Sequence, residues 1–169
     1  MSIEYEVGAK LRTEPVLPDA GVFRADCAEG DCAEKTPLPA KVAARSTDQK
    51  TPSEWAYERL VLYIQKFEET LDAEHEIGMG FAGSDAGMIH IQGMGFFAPD
   101  IITFYGVDPA GAKTQLVQHV SQLNVMLKAA RKINEEPLRI GFQMREKLDE
   151  DDEADSAGLA DGEKDGKEG

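Results

Sequence analysis

Two cysteines, three histidines and one glycine-rich turn are the residues of this chain that could do chemistry. Cys27 and Cys32 stand in a repeated tetrapeptide, Asp26-Cys27-Ala28-Glu29 and Asp31-Cys32-Ala33-Glu34, at Cys-x4-Cys spacing. Such a pair could supply half of a metal site or a redox couple. A structural zinc site needs four ligands, usually from tighter pairs, and no second pair follows. Two idle thiols in an acidic loop are therefore expected. His75, His90 and His119 fall on separate elements, with no His-x-x-x-His or Glu-x-x-His pattern between them, so neither a metal nor a cofactor is expected. Gly83-Ser84-Asp85-Ala86-Gly87 has the glycines of a phosphate cradle. It lacks the lysine and the strand-to-helix setting, and reads as a hairpin turn. Ser84 and Ser121 have no nucleophile-elbow context. Asp85, Asp100 and Asp108 fall in turns, where aspartate bonds its own backbone. No nucleophile and base form a recognisable pair. The expectation is a protein that is not an enzyme, with no catalytic residues.

The elements that must carry these residues follow from periodicity. Thr51-Pro52-Ser53-Glu54 fits a capping box with proline at the first helical position. Tyr57, Leu60, Ile64, Phe67 and Leu71 then recur at helical spacing, predicting a helix over 52–71. Ile77, Met79 and Phe81 alternate with Gly78 and Gly80, which is strand periodicity with one bare face. Met88 to Gln92 reads as the returning strand, Gly93-Met94-Gly95 as a bulge or bend, and Ile101 to Tyr105 as a third strand. Glycines on alternate strand positions leave a groove, to be filled by a packed helix or by a ligand or partner chain. Asp108-Pro109 repeats the helix-start signal. Leu116, Val120, Leu123, Leu127 and Ala130 recur at spacings of 4, 3, 4 and 3, predicting a second helix from about residue 111. After Pro137, Leu138, Ile140, Phe142 and Met144 alternate with Arg139, Gly141, Gln143 and Arg145 as a candidate fourth strand.

The predicted fold is α+β: helix, three-stranded antiparallel meander, helix and candidate fourth strand, with the helices on one face of the sheet. Residues 1–50 contain Pro15, Pro18, Pro37 and Pro39 and few large apolar side chains, and are expected to be a largely disordered arm. Residues 51–145 form the folded domain, and 146–169 an acidic disordered tail. Acids and bases number 9 and 7 in residues 1–50, 12 and 8 in 51–145, and 11 and 3 in 146–169, so the nets are −2, −4 and −8. The overall −14 is mostly the tail's, and says little about what the folded surface binds. No apolar run approaches a membrane span, and the start MSIEYEVGAKLR is not a signal peptide. The chain is expected to be soluble and cytoplasmic.

Two resemblances bear on function. The runs Trp55-Ala56-Tyr57-Glu58-Arg59-Leu60, Phe81 to Gly87, Gly95-Phe96-Phe97-Ala98-Pro99-Asp100-Ile101-Ile102-Thr103-Phe104-Tyr105-Gly106 and Thr114 to Asn124 resemble a small bacterial family of unknown function, over residues 51–132. That resemblance implies a single genuine domain and no mechanism. The order helix, glycine-punctuated strands, Pro99-Asp100-Ile101-Ile102-Thr103-Phe104 and Gln115-Leu116-Val117-Gln118-His119-Val120 is similar to the Sm-like RNA chaperones. In that family five-stranded barrels form rings, and a Gln-Met/Leu-Val-Tyr-Lys-His run makes the fourth strand and part of an RNA pocket. Here Gln118 alone stands where Tyr-Lys would be.

The leading expectation is a non-enzymatic binding or adaptor module that forms a homo-oligomer and takes a protein partner. Its contacts are expected at Trp55, Phe96, Phe97 and Tyr105. An Sm-like RNA-binding ring is the alternative, to be decided by whether residues 114–124 are strand or helix. Nucleic acid is disfavoured by the domain's net charge. A small-molecule sensor using the glycine-faced groove is the third.

Overall fold

The structure is a computed structural model that describes residues 17–27, 31–82 and 87–150. Its elements run α1 (Ala40–Ala43), α2 (Pro52–Glu68), β1 (His75–Phe81), β2 (Met88–Phe97), β3 (Ile101–Val107), β4 (Lys113–His119), β5 (Val125–Arg131) and α3 (Ile140–Glu150). Short 3-10 turns occupy Ala33–Lys35, Thr47–Gln49 and Val120–Gln122. The five strands form one antiparallel sheet in the order β4-β3-β2-β1-β5.

The start of α2 matches its sequence signal. Thr51 is the N-cap, its hydroxyl accepts the Glu54 amide at 3.4 Å, and Pro52 opens the helix, where its missing N–H costs nothing. The other half of the capping box is not made, because the Glu54 carboxylate takes Arg45 at 2.6 Å instead.

Two expected elements are overturned. The second helix is two strands: the stretch from residue 111 folds as β4, the turn Val120–Gln122 and β5. Leu116, Val120, Leu123 and Leu127 keep their helical spacing because each strand contributes a leucine to one face, and the turn between supplies the other two residues. The candidate fourth strand is α3. Its period is set by Ile140 and Met144, buried four residues apart with Leu148 packed against the same core, while Phe142 of the apparent alternation stays exposed. The meander of β1, β2 and β3 is as expected, and is extended to five strands.

One face of the sheet meets α2 and α3. Ile77, Met79, Ile89, Ile91, Ile102 and Phe104 pack against Ala56, Val61, Ile64, Ile140 and Met144. β4 and β5 lie at opposite edges of the sheet, yet only residues 120–124 join them. A flat five-stranded sheet would hold its edges roughly 19 Å apart, and a link that spends three residues on a 3-10 turn falls short of that. The sheet therefore curls. Phe81 of β1 meets Phe104 of β3 edge-on at 5.0 Å between ring centres, across the intervening β2. The irregularity between Ile91 and Gly93 places an extra residue in β2, where a bulge sharpens the bend.

Residues 31–50 lie along α2. Val42 and Cys32 are buried, and Trp55 donates its indole N–H to the Thr47 carbonyl at 3.0 Å. Lys50 is buried too. Its ammonium donates to the Val42 carbonyl at 2.6 Å and to Glu58 at 2.8 Å, and sits 4.2 Å from the centre of the Trp55 ring. No described helix is long and apolar enough to cross a membrane.

Candidate functional site

The face of the sheet turned away from α2 carries Gly78, Gly80, Gly93 and Gly95. The pairings place Gly78 opposite His90, Gly80 opposite Met88, Gly93 opposite Tyr105 and Gly95 opposite Thr103, and directly opposed residues share a face. Among the described residues, no helix fills this groove. A methyl on Gly78 would collide with the Met88 side chain, so Met88 occupies that half. The Tyr105 ring lies across the other half, 3.9 Å from where a Gly93 Cβ would stand and 3.8 Å from that of Gly95. Tyr105 remains 42% exposed. Beside it on the same face stand Phe97 and Val117, at 76% and 59% exposure, and Met126 of β5 also stands at 59%.

Each of these residues belongs to a strand alternation. In β4, Lys113, Gln115, Val117 and His119 are exposed, and Thr114, Leu116 and Gln118 are half-buried. The pairing Tyr105 with Gln115 and Thr103 with Val117 carries the exposed face across to the β4 edge. Among the described residues, β4 pairs with β3 alone and β5 with β1 alone. Both edges are thus lines of backbone donors and acceptors with apolar side chains beside them, and neither strand contains proline. On the inner side of β4, the Gln118 amide nitrogen is buried and meets no acceptor among the described residues.

The end of β4 is tightly held beside the start of β3. His119 Nδ1 accepts the Ser121 amide at 3.0 Å, which leaves its Nε2–H to donate to Asp100 at 3.1 Å. Gln122 returns its side-chain oxygen to the His119 amide at 3.1 Å, and Val120 N–H donates to the Asp100 carbonyl at 2.7 Å. The other histidines lie elsewhere. His75 pairs with Asp72 at 2.7 Å, and His90 meets the buried Glu76 at 2.9 Å, whose second oxygen accepts the Leu138 amide at 3.0 Å. The structure brings none of the three to another. Ser84 and Asp85 of the β1–β2 turn lie outside the described residues.

Of the four aromatic residues expected on an interaction surface, two stand together on one exposed face of the sheet. Phe97 and Tyr105 share the exposed face. Phe96 points the other way and packs on Tyr57 of α2 at 5.2 Å. Trp55, whose place off the helix stripe leaves it open to the N-terminal arm or to a partner, is 6% exposed and covered by Lys50 and the segment before α2. Val117 and Met126 were not expected, because a helical reading of residues 111–132 hides which side chains share a sheet face. The alternation of Thr114, Leu116 and Gln118 with Gln115, Val117 and His119 was the available signal.

No curated protein and no solved structure matches this chain. Residues 48–143, from the turn before α2 into α3, match DUF6173, a family of unknown function, and the chain belongs to that family.

Proposed function

We propose that this protein is a non-enzymatic binding module that works as an assembly of identical subunits, joined by β4 of one copy and β5 of the next. The observation that carries this reading is the pair of half-paired edges, each with an exposed apolar side chain, Val117 on β4 and Met126 on β5. Soluble proteins blunt a free edge with proline, bulges or inward charge. Here β4 has one lysine, at its first position, and β5 has Lys128 and Arg131. The face bearing Phe97 and Tyr105 would then be repeated around the assembly as its contact surface.

The test is light scattering on a size-exclusion column, run on the full chain at micromolar concentration. A discrete mass several times the monomer's is expected. A monodisperse monomer would sink the proposal.

A second reading gives the assembly an RNA ligand, as the similarity to Sm-like chaperones implies. One observation favours it. From Lys113 to Lys132 the chain carries Lys113, Lys128, Arg131 and Lys132 and no acid, although the chain as a whole is at −14. Residues 113–119 are strand, as that similarity requires. A joint between β4 and β5 would gather these cations, and phosphate contacts of this kind are strongly salt-dependent. Absorbance at 260 nm that co-elutes with the assembly and disappears on nuclease treatment is the expected sign. A clean assembly that ignores added single-stranded RNA at low salt counts against it.

A further inference from the structure

We infer that Cys27 and Cys32 form an oxidation site at which a peroxide closes an intrachain disulfide. Their sulfurs stand 3.2 Å apart, near enough for one thiol to donate to the other. A disulfide needs about 2.05 Å, so roughly 1 Å of approach remains, within reach of a small side-chain rotation.

The two thiols are placed for different tasks. Cys32 is 2% exposed and held by its own backbone, where its carbonyl accepts the Lys35 amide at 3.0 Å and the Thr36 hydroxyl at 3.1 Å. The turn that follows is pinned to α2, because the Tyr63 hydroxyl donates to Glu34 at 2.7 Å. Cys27 is half-buried and opens onto a cleft of about 390 Å³ shared with Val22, Phe23, Arg24 and Cys32, room enough for a small oxidant. Cys27 is therefore the attacking thiol and Cys32 the resolving one.

The steps balance. The Cys27 thiolate attacks one oxygen of hydrogen peroxide, the O–O bond breaks, and the departing hydroxide takes a proton as water, leaving Cys27 as a sulfenic acid. The Cys32 sulfur then attacks the Cys27 sulfur, the S–O bond breaks, and a second water leaves with the Cys32 proton. Two thiols are oxidised and one peroxide is reduced to two waters. The hydrogen bond between the thiols also holds Cys27 protonated above the usual range. The reaction should therefore be slow at neutral pH and gain about tenfold per pH unit while the thiolate is the minor form.

The full chain, reduced and freed of reductant, is treated with hydrogen peroxide and digested with trypsin. Residues 25–35 form one tryptic peptide holding both cysteines. The expected product is this peptide lighter by two hydrogen atoms, with loss of both maleimide additions and their return on reduction. In Cys32→Ser, Cys27 should stop as a sulfenic acid that dimedone traps. In Cys27→Ser, Cys32 should give no such adduct. A peptide that still takes two maleimides after peroxide, or a cross-link only between chains, would overturn the inference.

Discussion

The carboxylate of Glu68, at the last position of α2, accepts the backbone amide of Gly141 at 2.8 Å and that of Phe142 at 3.3 Å. One helix thereby caps the next, satisfying amides at the start of α3 that have no partner within their own helix. The approach is close enough to demand glycine. A Cβ on Gly141 would stand 2.7 Å from the Gln65 nitrogen and 2.8 Å from its Cα. Gly141→Ala should therefore cost about 1–3 kcal/mol through overpacking, and Glu68→Ala about 1–3 kcal/mol through two orphaned amides. Urea unfolding followed by circular dichroism measures both. Wild-type stability for either variant would show that α3 is not held this way.

The same carboxylate sets a pH dependence. Burial pushes Glu68 above the usual carboxylate range, against the opposing pull of the α3 amides, and burial likewise pushes Glu58 up against Lys50. A group whose folded pKa is raised binds its proton more tightly in the folded chain. Stability from these two is thus greatest below the ordinary glutamate value and declines as pH rises through the folded value. Asp72 beside His75, and Asp26 beside Arg24, are held below the usual range and act oppositely, losing their contribution as pH falls through their folded values. Thermal melts should give a maximum between these windows. Glu68→Gln, which keeps an acceptor for Gly141, should flatten the decline on the alkaline side. An unchanged profile in that variant refutes the assignment.

Lys50 and Glu58 form a buried pair, and the two halves are not interchangeable. Lys50→Met leaves a buried carboxylate with no cation, at a cost of about 3–5 kcal/mol. Changing both, Lys50→Met with Glu58→Leu, should recover most of that loss, since a buried ion pair is often no better than apolar side chains of similar volume. A double variant as unstable as the single one would mean that the Val42 carbonyl, which Lys50 also satisfies, is the larger partner.

Glycines on the two faces of the sheet should respond differently. A methyl on Gly106 would drive into the His90 carbonyl and stand 2.6 Å from Ile89 Cγ2, whereas one on Gly80 meets only Met126 Cβ at 3.8 Å. Gly106→Ala should lower stability by about 1–3 kcal/mol, and Gly80→Ala should fall within about 1 kcal/mol of wild type. Equal losses at both sites would argue against the strand register.

Val117→Lys and Met126→Lys place charges beside the free backbone of the two edges. Together they should weaken the proposed self-association by tenfold or more, at about 1.4 kcal/mol per factor of ten, without lowering the melting temperature of the subunit. Sedimentation velocity over a concentration series reads the change. Unaltered association would move the joint away from these edges.

How far the sequence could be read depended on whether one period ruled each stretch. In α2 the cap, the proline and the apolar stripe agreed, and the helix came out as expected. The meander was legible because glycine and β-branched residues marked both faces and turns. Residues 113–131 misled because a three-residue turn between two strands restores a rhythm of threes and fours. In 138–145 the misleading feature was Phe142, an apolar residue on the exposed side of α3. The shared face of Phe97, Tyr105, Val117 and Met126 depended on pairing β3 with β4 and β1 with β5, and long-range register of that kind is not written in local spacing.

Trp55 is the chain's one tryptophan, and a lysine ammonium rests against its ring. Excited at the long-wavelength edge of its absorption, where the four tyrosines do not absorb, this protein therefore emits from a single fluorophore located where residues 42–50 meet α2. Undocking of that segment would expose the indole and break its bond to Thr47, moving the emission to the red while the circular dichroism of the sheet stays constant. An unlabelled sample thus contains its own optical gauge of whether the segment before α2 is seated, readable on a stopped-flow timescale and separable from global unfolding.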